Sequence, residues 1–225
     1  MRLLIVVLFV IPGTLFSQRN KEFQIRFGGG LGGYATLSDY VLKFDNVEYN
    51  FRDTSGAATQ QMHLGLRYEL HHRLALGLDY RRGRYIYDPE EDNTGKDNTF
   101  GMFGLSAELN MVSRPQFRWN VSLGYHISRL TITEPLFEGV QEYSGTTNWA
   151  GGGMTLQTGI IAYIAKSPFG ITFDIGYDGN AFQLFKYTIA GDEQDLSDWD
   201  VSLQANGVMV QTGLICRLNT ARSKQ

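Results

Sequence analysis

The chain has 225 residues, a length that suits one sizeable domain rather than two. Lys and Arg number 20 against 23 Asp and Glu, a net charge of −3, which excludes a broad electrostatic grip on nucleic acid phosphates. One cysteine, Cys216, excludes an internal disulfide framework and a multi-thiolate metal site, while a mean hydropathy of −0.21 and the lack of a second long apolar run exclude a helical membrane protein.

The first segment, 1–18, carries one basic residue, Arg2, an apolar core over 3–11, then Pro12, Gly13 and a polar end at Ser17 and Gln18. As a helix that core covers only about 14 Å at 1.5 Å per residue, which predicts a secretory signal rather than a spanning segment. No cysteine stands near the expected cleavage point, so a lipoprotein anchor is not expected.

Alternation with a period of two then repeats along the chain. Phe23, Ile25, Phe27 and Leu31 share one face against Gln24, Arg26, Gly28 and Gly30. Met62, Leu64, Leu66, Tyr68 and Leu70 oppose Gln61, His63, Gly65, Arg67 and Glu69, and Leu74, Leu76, Leu78 and Tyr80 oppose Ala75, Gly77, Asp79 and Arg81. Phe103, Leu105, Ala107, Leu109 and Met111 oppose Gly104, Ser106, Glu108 and Asn110. The clearest run sets Phe117, Trp119, Val121, Leu123, Tyr125 and Ile127 against Arg118, Asn120, Ser122, Gly124, His126 and Ser128. Three more apolar faces follow, through Met154 to Ile164, Ile171 to Tyr177 and Val208 to Leu218.

These runs predict eight strands of about ten residues, joined alternately by short connections (71–73, 113–116, 165–170) and long ones (35–58, 82–98, 129–152, 179–200). Such alternation is expected of an up-and-down barrel whose two rims face different compartments. The polar face mixes charges with small residues such as Gly65, Gly77, Gly104, Gly124, Gly159 and Gly213. Water does not require small residues, but a crowded lumen does, since eight strands enclose a space just wide enough for side chains to fill. The apolar face carries Tyr68, Tyr80, Trp119, Tyr125 and Tyr177 toward strand ends, as an aromatic girdle would. The expected fold is therefore all-β: an eight-stranded antiparallel up-and-down transmembrane β-barrel with short periplasmic turns and long extracellular loops. It divides the chain into a signal peptide (1–18), an outer membrane barrel (19–218) and a polar tail (219–225).

With the signal ending Leu15-Phe16-Ser17-Gln18 and the opening strand Phe27-Gly28-Gly29-Gly30-Leu31-Gly32-Gly33, the chain resembles the small eight-stranded outer membrane β-barrels of Bacteroidota, including PorT-like and OmpA-barrel-like proteins. The resemblance implies a Gram-negative cell envelope and localisation in the outer membrane. It spans the whole mature chain and speaks to architecture more than activity. Such barrels usually finish on an aromatic residue, where this chain has Leu218 and a polar tail.

Parity sends Arg26, Arg67, Glu69, Asp79, Glu108, Arg118, His126, Asp174 and Arg217 into the lumen. Charges in so narrow a space are expected to pair, because a lone ion there loses most of its hydration. The stretch Tyr80-Arg81-Arg82-Gly83-Arg84-Tyr85 stands at the outer end of the third strand, where Arg82 and Arg84 are candidates for contact with lipopolysaccharide phosphates. His126 and Ser128, with Glu134, Glu138 and Glu142 following, resemble the catalytic set of outer membrane lipid A deacylases. Those enzymes continue with Asn where this chain has Arg129, and parity turns the pair inward, so a lumen histidine is the preferred reading. Adjacent His71 and His72 at a turn point apart and chelate poorly. The acidic stretches 88–97 and Asp192, Glu193, Asp195, Asp198, Asp200 fit no defined calcium loop. Gly29-Gly30-Leu31-Gly32-Gly33 is no phosphate loop, since neither a helix nor a Lys-Ser or Lys-Thr follows.

No catalytic residue, metal or cofactor is expected. The expected function is that of a non-enzymatic integral outer membrane protein, envelope-structural or surface-binding through its long loops. A narrow, porin-like channel for small solutes and a lipid A-modifying hydrolase using His126 and Ser128 are the alternatives. Expected partners are outer membrane lipids and lipopolysaccharide, with an extracellular ligand or an envelope protein as further candidates, and no nucleic acid.

Overall fold

The computed structural model describes residues 22–44, 47–86, 98–138, 141–165, 167–197 and 199–219. The predicted signal peptide and the acidic stretch 88–97 lie outside the described residues. The chain forms β1 (Glu22–Phe44), β2 (Val47–His71), β3 (Leu74–Ile86), β4 (Thr99–Arg114), β5 (Phe117–Glu138), β6 (Gln141–Tyr163), β7 (Phe169–Ile189), a two-residue β8 (Asp192–Glu193) and β9 (Trp199–Asn219).

From β1 to β7 each strand pairs antiparallel with the next, and β7 pairs with β9. The ring closes where β9 meets β1, from Glu22 opposite Asn219 to Leu42 opposite Trp199. Eight long strands thus make an up-and-down barrel, with β8 folded back onto β7. Closure matters because lipid offers no hydrogen-bonding partner to an exposed strand edge.

Along the lower part of every long strand the apolar side chains point outward. Leu64, Leu105, Leu123, Leu156, Ile175 and Leu214 are all exposed on the outer wall, while Arg67, Glu108, Arg118, Asp174 and Gln211 are buried within. On β7 the outward apolar run from Phe169 to Tyr177 covers roughly 20–25 Å once tilt is allowed for, the height of a lipid-facing band. The end at which Glu22 and Asn219 lie has the tight turns, at His72–Arg73 and Pro115–Gln116.

Two expectations need correction. The strands are not about ten residues long but 13 to 25, and much of what the sequence reading assigned to long loops is strand. In the 35–58 connection β1 and β2 stay paired up to Phe44 opposite Val47, and in the 129–152 connection β5 and β6 stay paired up to Glu138 opposite Gln141.

The physical reason is an inversion of polarity along the same strands. On β9 the outward residues pass from Val210 and Val208 to Asn206 and Gln204, while the inward ones pass from Gln211 to Ala205, Leu203 and Val201. On β5 the outward Ile127 gives way to Arg129, and the inward Ser128 to Leu130. Phe100, Met102, Leu130, Trp149, Phe182, Val201, Leu203 and Ala205 pack together inside this upper section. Below, the wall faces lipid and the lumen is polar; above, the wall is polar and the interior apolar, as in a water-soluble barrel. A reading that follows one apolar face loses the strand where that face changes sides.

Replacing outward Leu123 with Arg is expected to destabilise the barrel by about 2–4 kcal/mol at mid-bilayer depth, whereas Gln204→Arg above the band is expected to change stability by no more than about 1 kcal/mol. Equilibrium unfolding in phospholipid vesicles measures both.

Candidate functional site

The lumen is filled in layers. Nearest the tight turns, Arg118 lies 3.1 Å from Glu22 and 3.3 Å from Glu69. The Arg217 guanidinium stacks 3.7 Å from the centre of the Tyr163 ring, and Arg118 stands 5.5 Å from the same ring. These residues converge because β1, β2, β5, β6 and β9 each present an inward position at this height.

The middle layer is a second ionic cluster. Arg26 Nη1 is 2.7 Å from Glu108 Oε2, with both side chains almost fully buried. Arg67 Nη2 donates to Asp79 at 2.7 Å, and Arg67 Nε lies 3.5 Å from Glu108. Ser106 donates to Asp79 at 2.6 Å, and His63 Nε2 sits 3.3 Å from the same carboxylate. The glycines make room: a Cβ at Gly77 would overlap the Arg67 guanidinium, and one at Gly159 would overlap the Asp174 carboxylate. Asp174 is buried in the lumen, but it makes no ion pair within 4.0 Å among the described residues, unlike the other carboxylates that parity sent inward.

The third layer is centred on Arg81 and Asp178. Arg81 Nη1 donates to Asp178 Oδ2 at 2.6 Å and Nη2 to Oδ1 at 3.0 Å, a two-point grip. Thr155 and Tyr34 donate to the same carboxylate at 2.5 and 2.8 Å, and Asp178 is wholly buried. In the sequence Arg81 belongs to the basic stretch 80–85 and, by parity, to the face of Ala75, Gly77 and Asp79. The structure turns it inward, because it shares the parity of Asp79, while Arg82 and Arg84 point outward and are exposed. Asp178 was missed entirely, although it lies four residues beyond Asp174 on the same face of β7.

His126 is buried beside this layer. Its Nε2 lies 2.7 Å from Asn180 Oδ1 and its Nδ1 3.3 Å from Thr155 Oγ1, so both ring nitrogens are engaged away from Ser128. Ser128 Oγ is buried without a hydrogen-bond partner among the described residues. The pair is thus uncoupled, and no base among the described residues is aimed at the serine. Glu134, Glu138 and Glu142 have no described side-chain position.

Between the middle and third layers the residual space beside His63, Asp79, Arg81 and His126 is about 20 Å³, enough for about one water molecule. Above the third layer lies the apolar cluster that fills the upper barrel.

No family model and no curated protein matches the chain. Among solved structures it is similar to the outer membrane protein OprG from Pseudomonas aeruginosa, at 12% identity and a TM-score of 0.56, over 89% of this chain and 97% of that one. The fold is that of an outer membrane β-barrel. Weaker likenesses are to the N-terminal β-barrel domain of Pseudomonas aeruginosa OprF (14% identity, 86% of this chain and 98% of that one, TM-score 0.38) and to Neisserial surface protein A (14% identity, 81% and 96%, TM-score 0.34).

Removing one member of the third-layer pair strands its partner in the lumen, so Asp178→Ala is expected to destabilise the barrel by about 3–5 kcal/mol. Removing both in R81A/D178A is expected to cost less than the two single losses added together. A double-mutant cycle on unfolding free energies measures the coupling; strict additivity would mean that the pair is not a unit.

Proposed function

We propose that this chain is a non-enzymatic integral protein of the outer membrane, exported by a signal peptide at 1–18, whose lumen is closed and whose action lies at its outer end. The observation that carries the reading is the filling of the lumen: two ionic clusters, the Arg81–Asp178 grip and an apolar cap stand one above another, and the cavity beside His63, Asp79, Arg81 and His126 has space for about one water. An eight-stranded wall has no width to spare for solutes once such side chains occupy it.

What stands above the lipid band is built for display. The hairpins β1–β2 and β5–β6 remain paired beyond it, up to Phe44 opposite Val47 and Glu138 opposite Gln141. This favours a surface-binding or envelope-structural role over transport. The hydrolase alternative draws no support from the uncoupled His126 and Ser128.

Purified wild-type protein in planar bilayers is expected to give no stable conductance steps at voltages the bilayer tolerates. Large ohmic steps would overturn the closed-lumen reading in favour of a channel. Incubation with lipid A is expected to leave its acyl chains intact by mass spectrometry.

A further inference from the structure

The outer wall of the barrel holds a basic groove that the lumen account does not use. At one height, strand register brings Met62 on β2 opposite Arg82 on β3, Arg82 opposite Gly101 on β4, and Gly101 opposite Arg129 on β5. All four positions share the outward parity, and Met62, Arg82 and Arg129 are exposed. Gly101 has no neighbour within 4 Å of where a Cβ would stand, so the space between the two arginines is open. Two inter-strand spacings separate them, roughly 10 Å at the wall. Arg84 lies one step higher on β3, where its Nη2 donates to Gln60 at 3.4 Å.

None of the three guanidiniums makes an ion pair among the described residues. The outward positions of β2 to β5 at this height are Gln60, Met62, Arg82, Arg84, Thr99, Gly101, Arg129 and Thr131, with no acid among them. Three positive charges without an ion pair among the described residues, on one face of a chain with net charge −3, are a local feature. Their depth is equally specific, since the next outward residues below them are Tyr80, Phe103 and Ile127, the top of the apolar band. An open groove of about 670 Å³ lies beside Arg82 toward β1 and β2, with Gly29, Leu31, Met62, Arg82 and Arg84 among its lining, and Arg129 stands across Gly101 from it. An apolar trough level with a row of guanidiniums matches a molecule that carries both acyl chains and phosphate.

We propose that Arg82, Arg84 and Arg129, with the groove over Gly29, Leu31 and Met62, seat a phosphorylated, acylated lipid of the outer leaflet. The phosphates meet the guanidiniums, which bind them two-pronged, and an acyl chain lies along the groove. Arg129 is the member that the sequence reading left out, because it is distant in the chain and becomes a neighbour of Arg82 only through the β3–β4–β5 register. The proposal is independent of whether the lumen conducts.

The test uses the full-length folded protein in detergent micelles, titrated with diphosphoryl lipid A, with the same lipid after enzymatic removal of its phosphates, and with inorganic phosphate, and read by native mass spectrometry. Wild type is expected to hold diphosphoryl lipid A about tenfold or more tightly than the dephosphorylated form. The triple variant R82A/R84A/R129A is expected to lose that preference, and R129A alone to lose part of it. Gly101→Leu, which fills the gap and leaves every charge in place, is expected to weaken lipid binding as well. Inorganic phosphate at the same concentration is expected not to compete, since it cannot use the groove. Each variant is first shown to be folded by its shift on unheated gels. Equal binding of both lipid forms by wild type, undiminished preference in the triple variant, or displacement of the lipid by inorganic phosphate at equal concentration would each overturn the proposal.

Discussion

Eight strands closed into a ring leave an interior that side chains can fill and little else can enter, and most features of this protein follow from that one restriction on width. A charge placed in such a space is stripped of most of its water, and it stays only if a partner of opposite sign replaces what was lost. The Arg26–Glu108, Arg67–Asp79 and Arg81–Asp178 pairs meet that demand. Two of the three are also long-range links. Arg26 on β1 reaches Glu108 on β4, and Arg81 on β3 reaches Asp178 on β7, so each ties together strands that share no backbone hydrogen bonds. The abundance of glycine has the same origin. Gly77 and Gly159 leave space for the guanidinium of Arg67 and the carboxylate of Asp174, which a methyl group would push against the opposite wall.

The second organising feature is that one set of strands serves two solvents. Within the lipid band the outer wall must be apolar because lipid rewards it, and the interior takes the polar residues. Beyond the band water touches the wall, and the hydrophobic effect draws the apolar residues inward. Phe100, Leu130, Trp149, Phe182 and Leu203 then form an ordinary core on top of a polar lumen. The changeover is sharp: on β5 it falls between Ile127 and Arg129 outside and between Ser128 and Leu130 inside. The apolar core lies above, and the ionic layers lie below it.

The barrel was legible in the sequence because a period of two persists for seven or more residues in each lower strand, long enough to separate Leu123 and Tyr125 from Ser122 and His126 by parity alone. The upper halves were not legible as strands. There the apolar residues change faces, so the run through Ile127, Ser128, Arg129 and Leu130 reads as a break in alternation and not as its continuation on the other side. Which lumen groups meet was beyond parity as well. Parity placed Arg81 and Asp79 on one face of β3, but the partner of Arg81 stands 97 residues away, and Asp174 carries the right parity without an ion pair within 4.0 Å among the described residues. Contacts of that kind depend on the stagger between strands, which the pattern within a single strand does not encode.

The changeover of faces along one strand can be measured directly on β9. With Cys216 replaced by Ser, single nitroxide labels placed in turn at positions 202 to 215 of the protein in lipid vesicles report contact with lipid through oxygen and contact with water through a nickel chelate. High oxygen accessibility is expected at 208, 210, 212 and 214, with the chelate reaching 202, 204 and 206 instead, and neither probe is expected to reach 203, 205 or 209. Oxygen accessibility that continues unchanged through 206, 204 and 202, or chelate access at 203 and 205, would contradict a barrel that turns its polarity inside out at the membrane boundary.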